Sequence, residues 1–217
     1  MTRSTPSLGI IGAGKLGVVL SQLAVAAGYQ VYIAGSGNPD KIRLTIEVLS
    51  PGATAMYSTE VAKVADMVIL ALPLSNFRQL PVTALAGKVV IDAMNYWWEV
   101  DGPRSEILPD SQSSSEAVQA LLSNSTVVKA FSHLSYHDLY DGAHIKDIDE
   151  KKAVAIAGDD PQAVKQVQKL VERFGFAALP IGSLAQGSRL EPGSPAFGAS
   201  VSLKKLEDII SLPSREI

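Results

Sequence analysis

The sequence predicts an α/β fold built on a doubly wound, mostly parallel sheet, and three observations carry that expectation. Short β-rich runs alternate with helical stretches, the pattern of parallel strands joined by crossover helices. A glycine turn links the first run directly to an amphipathic helix. The alternation then continues past residue 140, so the last third of the chain reads as a small C-terminal α/β extension of the same sheet.

Strands are expected at Leu8 to Ile11, Gln30 to Ala34, Ala53 to Tyr57, Met67 to Leu72, Lys88 to Asp92 and Thr126 to Phe131. The helix after the first strand puts Leu16, Val19, Leu20, Leu23, Ala24 and Ala27 on one face at 3.6-residue spacing, and Gly28 suits its C-terminal cap. Asn38-Pro39 reads as an N-cap followed by proline at the first helical position, so a second helix starts there. Within the serine run Ser111 to Ser115, Ser113-x-x-Glu116 forms a capping box ahead of Val118, Leu121 and Leu122. After the charged stretch Lys146 to Lys152 come a strand at Ala153 to Ala157, a helix at Pro161 to Phe174 and a strand at Phe176 to Ile181. The Gly- and Pro-containing segment Gly182 to Gly198 reads as an extended lid or edge, closed by a short helix around Leu203 to Ile210.

A chain of 217 residues fits one domain with a substantial core, residues 140–217 completing the sheet. Nineteen Lys and Arg against 22 Asp and Glu give a net charge of -3 with no basic block, so nucleic acid is not an expected partner. The absence of cysteine excludes disulfides, thiolate zinc sites and thiol nucleophiles, and fits a cytoplasmic setting. Met1 to Ser7 are polar and lead into a short apolar run, which is neither a signal peptide nor a membrane span. No membrane partner is expected.

Gly12-Ala13-Gly14-Lys15-Leu16-Gly17 fits G-x-G-x-x-G in the context that gives the motif meaning, directly after a strand and opening a helix. Gly12 allows the tight turn, Gly14 lets a pyrophosphate approach the backbone, and Gly17 lets helix and strand pack closely. The expectation is a Rossmann-type site for NAD or NADP, with a purely structural turn as the alternative. An NAD site usually carries an acid at the end of the second strand, whereas this chain reads Ala34-Gly35-Ser36-Gly37-Asn38. Ser36, Gly37, the Asn38 helix start and Lys41 could hold a 2′-phosphate, so NADP is favoured and NAD is possible. Asp40 is the counter-argument, unless it serves as an acid in a helix's first turn. Ala71-Leu72-Pro73 close the fourth strand at the edge where such sheets bind ligands.

These blocks resemble the coenzyme F420-dependent NADP oxidoreductase family. The resemblance runs nearly end to end, through Ile10 to Gly17, Gly35-Ser36, Leu70 to Pro73, Ser113 to Glu116, Val127 to Phe131, Ala157 to Asp160, Gly182 to Leu184 and Leu190 to Pro192. It implies NADP on the glycine turn and at Ser36, and it brings the segment after Lys129-Ala130-Phe131 toward the nicotinamide and a deazaflavin. Gly37 stands where the family usually has arginine. Gly193 to Gly198 and the aromatic loop Asn95-Tyr96-Trp97-Trp98 are this chain's own.

The expected acceptor pocket is walled by Asn95, Tyr96, Trp97, Trp98, Ala130, Ser132, His133 and His137. The adjacent tryptophans could stack on a planar substrate, or equally form a homodimer contact. His133 and His137 have the spacing of paired zinc ligands, but no third ligand is in view and no metal is expected. The leading reading is hydride transfer between NADP(H) and a deazaflavin or flavin acceptor. The alternatives are reduction of a small imine or keto compound, and a non-catalytic dinucleotide sensor or partner protein.

Overall fold

The computed structural model describes residues 6–109, 112–145, 147 and 150–212. Residues 1–5 of the polar start, Ser111 and Lys146 lie outside them. One sheet contains β1 (Leu8–Ile11), β2 (Val31–Ala34), β3 (Ala53–Ala55), β4 (Met67–Leu70), β5 (Val89–Asp92), β6 (Thr126–Lys129), β7 (Ala153–Gly158) and β8 (Ala177–Gly182), in the order β3-β2-β1-β4-β5-β6-β7-β8. Neighbouring strands run parallel except β6 and β7, which are antiparallel. The C-terminal strand–helix–strand unit therefore joins the sheet as a reversed pair. The chain reverses direction across the sheet between β1 and β4, which creates the crevice at which such folds bind ligands.

The helices are α1 (Lys15–Ala26), α2 (Asp40–Leu49), α3 (Ser58–Val64), α4 (Val82–Leu85), α5 (Trp98–Asp101), α6 (Arg104–Ile107), α7 (Ser114–Leu121), α8 (Tyr136–Gly142), α9 (Pro161–Arg173) and α10 (Leu203–Ser211). Two 3₁₀ helices, Leu74–Gln79 and Leu184–Leu190, complete the described residues. Successive strand side chains alternate faces, so Ile10, Ile33, Ile69, Ile91 and Val128 pack with α1 and α9, while Ile11, Leu70, Val90 and Val127 pack with α3 and α7. Leu20 and Leu23 of α1 are sealed against the first layer. Burial of each contributes on the order of 2 kcal/mol. No described helix is long and apolar enough to cross a membrane.

Several expected boundaries move. The strand expected to reach Tyr57 ends at Ala55, and Tyr57 becomes the N-cap of α3. The strand expected to reach Phe131 ends at Lys129, and Phe131 takes a left-handed φ of 66°. Residues 182–198 are not an extended lid. Leu184, Gly187 and Leu190 are buried on one face of the 3₁₀ helix, so this segment plugs the end of the sheet. The capping box at Ser113 forms as expected: Ser113 Oγ accepts from the Glu116 N–H, and the Ser113 N–H donates to Glu116 Oε2.

Candidate active site

The glycine turn is held by two neighbouring strands, since the Gly12 N–H donates to the Ala34 carbonyl and the Ala71 N–H to that of Ile11. Gly12 has φ 121°, and a Cβ there would lie 2.1 Å from the Ala71 carbonyl oxygen. At Gly17 a Cβ would lie 1.8 Å from the Gly12 carbonyl oxygen. Gly14 differs from both, because a Cβ there meets nothing within 4 Å. Space therefore opens over the N-terminus of α1, whose first N–H groups receive no side-chain cap. An uncapped helix start facing open space suits a diphosphate, which its free donors and positive dipole end stabilise.

From that turn a cleft of about 510 Å³ runs across the ends of β2 and β4, a volume typical of a small-molecule site. Gly12, Ala13 and Gly14 line its head, Ser36 and Gly37 one wall, and Ala71, Leu72 and Pro73 the other. Six further lining residues carry no motif: Ile42, Ser58, Asn76, Gln79, Leu80 and Pro81. The flexible polar ends of Asn76 and Gln79 sit on a 3₁₀ helix, whose side-chain directions no simple periodicity announces.

The remaining cofactor candidates surround the cleft without lining it. Leu16 packs on the core, and Gly17 is buried in the helix–strand contact. Asn38, expected as the N-cap of α2, lies one residue before it: Pro39 is the N-cap and the helix begins at Asp40, whose N–H donates to Asn38 Oδ1 at 2.9 Å. Lys41 is exposed. Asp40, the one carboxylate that argued for NAD, is turned to an ion pair with Arg43. Lys15 reaches away from the groove, its ammonium 5.3 Å from the centre of the Tyr136 ring.

Beyond β5 and β6 lies the other candidate region. The Asn95 side-chain N–H donates to the Ser132 carbonyl at 2.6 Å, joining the two strand exits. The Tyr96 hydroxyl donates to the Gly102 carbonyl, Trp97 meets Phe197 edge to face at 5.5 Å, and Trp98 is exposed. The loop is tied back by Asp101, whose carboxylate accepts from the Trp97 N–H and from the Ser75 N–H beside the cleft, both at 2.8 Å. Ser132 is buried.

Ala130 and His133, expected on the pocket wall, are instead fully buried and present no surface to a ligand. His133 Nε2 accepts from the Ala155 N–H at 3.0 Å, and its carbonyl accepts from the Gly198 N–H. Burial pushes its pKa down to about 4, opposed by the Ala196 carbonyl. His137 is exposed and stacks on Tyr136 rather than sharing a site with His133.

A buried ion pair between Lys129 and Asp92, 3.5 Å apart, went unread in the sequence. The available signal was an acid and a base each closing an apolar run, Val89 to Asp92 and Val127 to Lys129.

The matches to known proteins agree with this geometry. A family model described as NADP oxidoreductase, coenzyme F420-dependent, covers residues 7–96. An F420-dependent NADP reductase of Methanocaldococcus jannaschii is 30% identical over 175 residues, 75% of this chain and 74% of that protein. The chain belongs to the coenzyme F420-dependent NADP oxidoreductase family. It is an NAD(P)-dependent oxidoreductase. Metalloreductase STEAP3 of Rattus norvegicus is 29% identical over 191 residues, 87% of this chain but 36% of that longer protein, so the chain spans little more than a third of it. Among solved structures, a hypothetical protein of Sinorhizobium meliloti superposes with a TM-score of 0.79 at 26% identity, covering 93% of this chain and 97% of that one.

Proposed function

We propose that this oxidoreductase binds NADP(H) along the cleft and exchanges hydride with a deazaflavin or flavin held beyond the ends of β5 and β6. The observation that carries the acceptor's position is the half-exposed Trp97 ring at the β5 exit; behind it Asn95 Oδ1 and Ser132 Oγ are two of four buried side-chain atoms, with His133 Nδ1 and Ser194 Oγ, that have no hydrogen-bond partner among the described residues. Buried groups of this kind are rare in folded chains and call for a ligand or an ordered water. Asn95 and Ser132 stand on adjacent strand exits beside the aromatic loop, where Trp97 would give a planar ring a stacking face and an ordered water would relay its polar edges to the buried atoms. The name of the archaeal relative supports a deazaflavin over a keto or imine substrate.

Bound dihydronicotinamide supplies a hydride from C4, and a solvent proton completes the two-electron reduction of the acceptor. The chain's own groups orient and shield. The start of α1 offsets the diphosphate charge, Ser36 donates to a 2′-phosphate, and the Asp40 carboxylate nearby is engaged by Arg43. Hydride transfer of this type needs closeness and a dry pocket more than a strong acid or base. The test is NADPH oxidation followed with a deazaflavin, with flavin mononucleotide and with neither. Oxidation dependent on a planar acceptor is expected, and none with either would overturn the reading.

The second reading, a homodimer contact through the aromatic loop, is favoured by the exposure of Trp98 (62%) and Val100 (61%).

A further inference from the structure

In register, five parallel strands end in one row: Ala34, Ile11, Leu70, Asp92 and Lys129. The row is apolar over the cofactor half and turns into an ion pair over the acceptor half. Lys129 is fully buried, and its ammonium donates to the Met94 carbonyl at 3.1 Å and to Ser114 Oγ at 3.2 Å besides facing Asp92. Asp92 in turn accepts from the Met94 N–H and from Ser115 Oγ. Ser114 passes the chain of bonds onward, its N–H and hydroxyl both donating to Glu191 Oε1.

Gly187 on the plug is what gives the lysine room, since a Cβ there would lie 2.9 Å from Lys129 Cδ. One residue past Ala130, the chain leaves β6 through the left-handed Phe131, a conformation that costs a β-carbon residue energy and persists only where its surroundings enforce it. A buried ion pair is weak support for stability, because apolar residues of similar volume serve as well or better. Its distinguishing property is direction: each partner fixes a particular backbone atom. Lys129 and Asp92 hold the Met94 carbonyl and N–H at the β5 exit that becomes the aromatic loop and the Ser114 and Ser115 hydroxyls at the start of α7, and Ser114 in turn ties that start to the Glu191 carboxylate on the segment that leads to Phe197.

We propose that Lys129, Asp92 and Glu191 are positioning residues for the acceptor wall, setting the Asn95–Trp98 loop against the 191–197 segment while leaving the cofactor cleft alone. The proposal rests on the acceptor reading above. Its test therefore needs one readout independent of any acceptor. Trp97 and Trp98 are the chain's two tryptophans, so tryptophan emission, excited selectively over the six tyrosines, reports this loop alone.

The informative variant is the charge-neutral double substitution Lys129→Met/Asp92→Asn, which avoids leaving one buried charge unpaired, with Gly187→Ala as a second variant that displaces the lysine without removing it. For each, the expected result is NADPH Kd within about twofold of wild type, a shifted tryptophan emission and an acceptor KM raised about fivefold or more relative to that of NADPH. Glu191→Ala should behave likewise, and Glu191→Gln, which keeps an acceptor oxygen for Ser114, should restore the wild-type KM. Unchanged emission and acceptor KM in a folded double variant would overturn the proposal, since the pair would then only fill space. A parallel loss of NADPH binding would also overturn it. If the wild-type protein reduces no planar acceptor, the function reading fails while the fluorescence comparison still decides the role of the network.

Discussion

Gly12 and Gly17 are required by the fold, and Gly14 is required by nothing in the protein itself. That difference makes a sharp substitution experiment. Gly14→Val should leave the circular dichroism and melting temperature close to wild type, because a side chain there enters open space. NADPH affinity should fall at least tenfold, roughly 1.4 kcal/mol, as judged by calorimetric titration. Gly17→Val, driven into the Gly12 carbonyl, should instead cost the fold. Ser36→Asp should bring NAD affinity to or above that of NADP, since a carboxylate repels the 2′-phosphate and accepts from a 2′-hydroxyl. His133 offers a pH prediction. Its ordinary value of 6.5 drops to about 4 in the fold, so between those values the unfolded chain binds the extra proton and the folded chain does not. Stability is then fully present above about pH 6.5 and declines as pH falls toward 4, by at most on the order of 3 kcal/mol. Urea midpoints at pH 7 and pH 5 should separate in wild type more than in His133→Gln, whose amide oxygen can still accept from Ala155.

Asp101 shows how a short element can carry more than its length suggests. A single carboxylate ends α5, holds the Trp97 N–H and also holds Ser75 at the edge of the cofactor cleft. Asp101→Ala frees both donors and should lower stability by about 1–3 kcal/mol, a few degrees of melting temperature, with a red-shifted tryptophan emission. Nothing in the sequence distinguished this aspartate from a solvated one, because its two partners are 4 and 26 residues away. Elements whose cause is local were legible: the capping box at Ser113, the start of α2 to within a residue, the spacing of apolar positions on α1, and the strand runs. What escaped was decided by tertiary contact. Leu184 to Leu190 resembles a polar loop in sequence, yet it buries every third residue where it meets β6, β7 and α7. The same holds for the site. Much of the cleft lining was legible because glycine and proline act on their own backbone, while the places of Asn76, Gln79 and Lys129 depend on what folds over them.

On the proposed reading the sheet divides the work between its halves, with the cofactor over β2, β1 and β4 and the acceptor over β5 and β6. Both open onto one carboxyl edge because every strand from β3 to β6 runs the same way. A cofactor seated on the glycine turn with its 2′-phosphate at Ser36, as proposed, would extend its nicotinamide end toward β5 and β6. The aromatic loop is the nearest wall on that side, and Trp97 is fixed there by Phe197 and Asp101 while Trp98 faces solvent. The two tryptophans should accordingly behave differently. Trp97→Ala removes a ring from the wall and should raise the acceptor KM by about tenfold, in line with roughly 1–2 kcal/mol for one aromatic contact, with little change in the KM for NADPH. Trp98→Ala should leave both constants near wild type. Sedimentation of the same variants completes the comparison: an acceptor wall leaves the oligomeric state untouched in Trp97→Ala, and a shift toward smaller species in Trp98→Ala alone would place an interface on the outer ring of a loop whose inner ring serves the substrate.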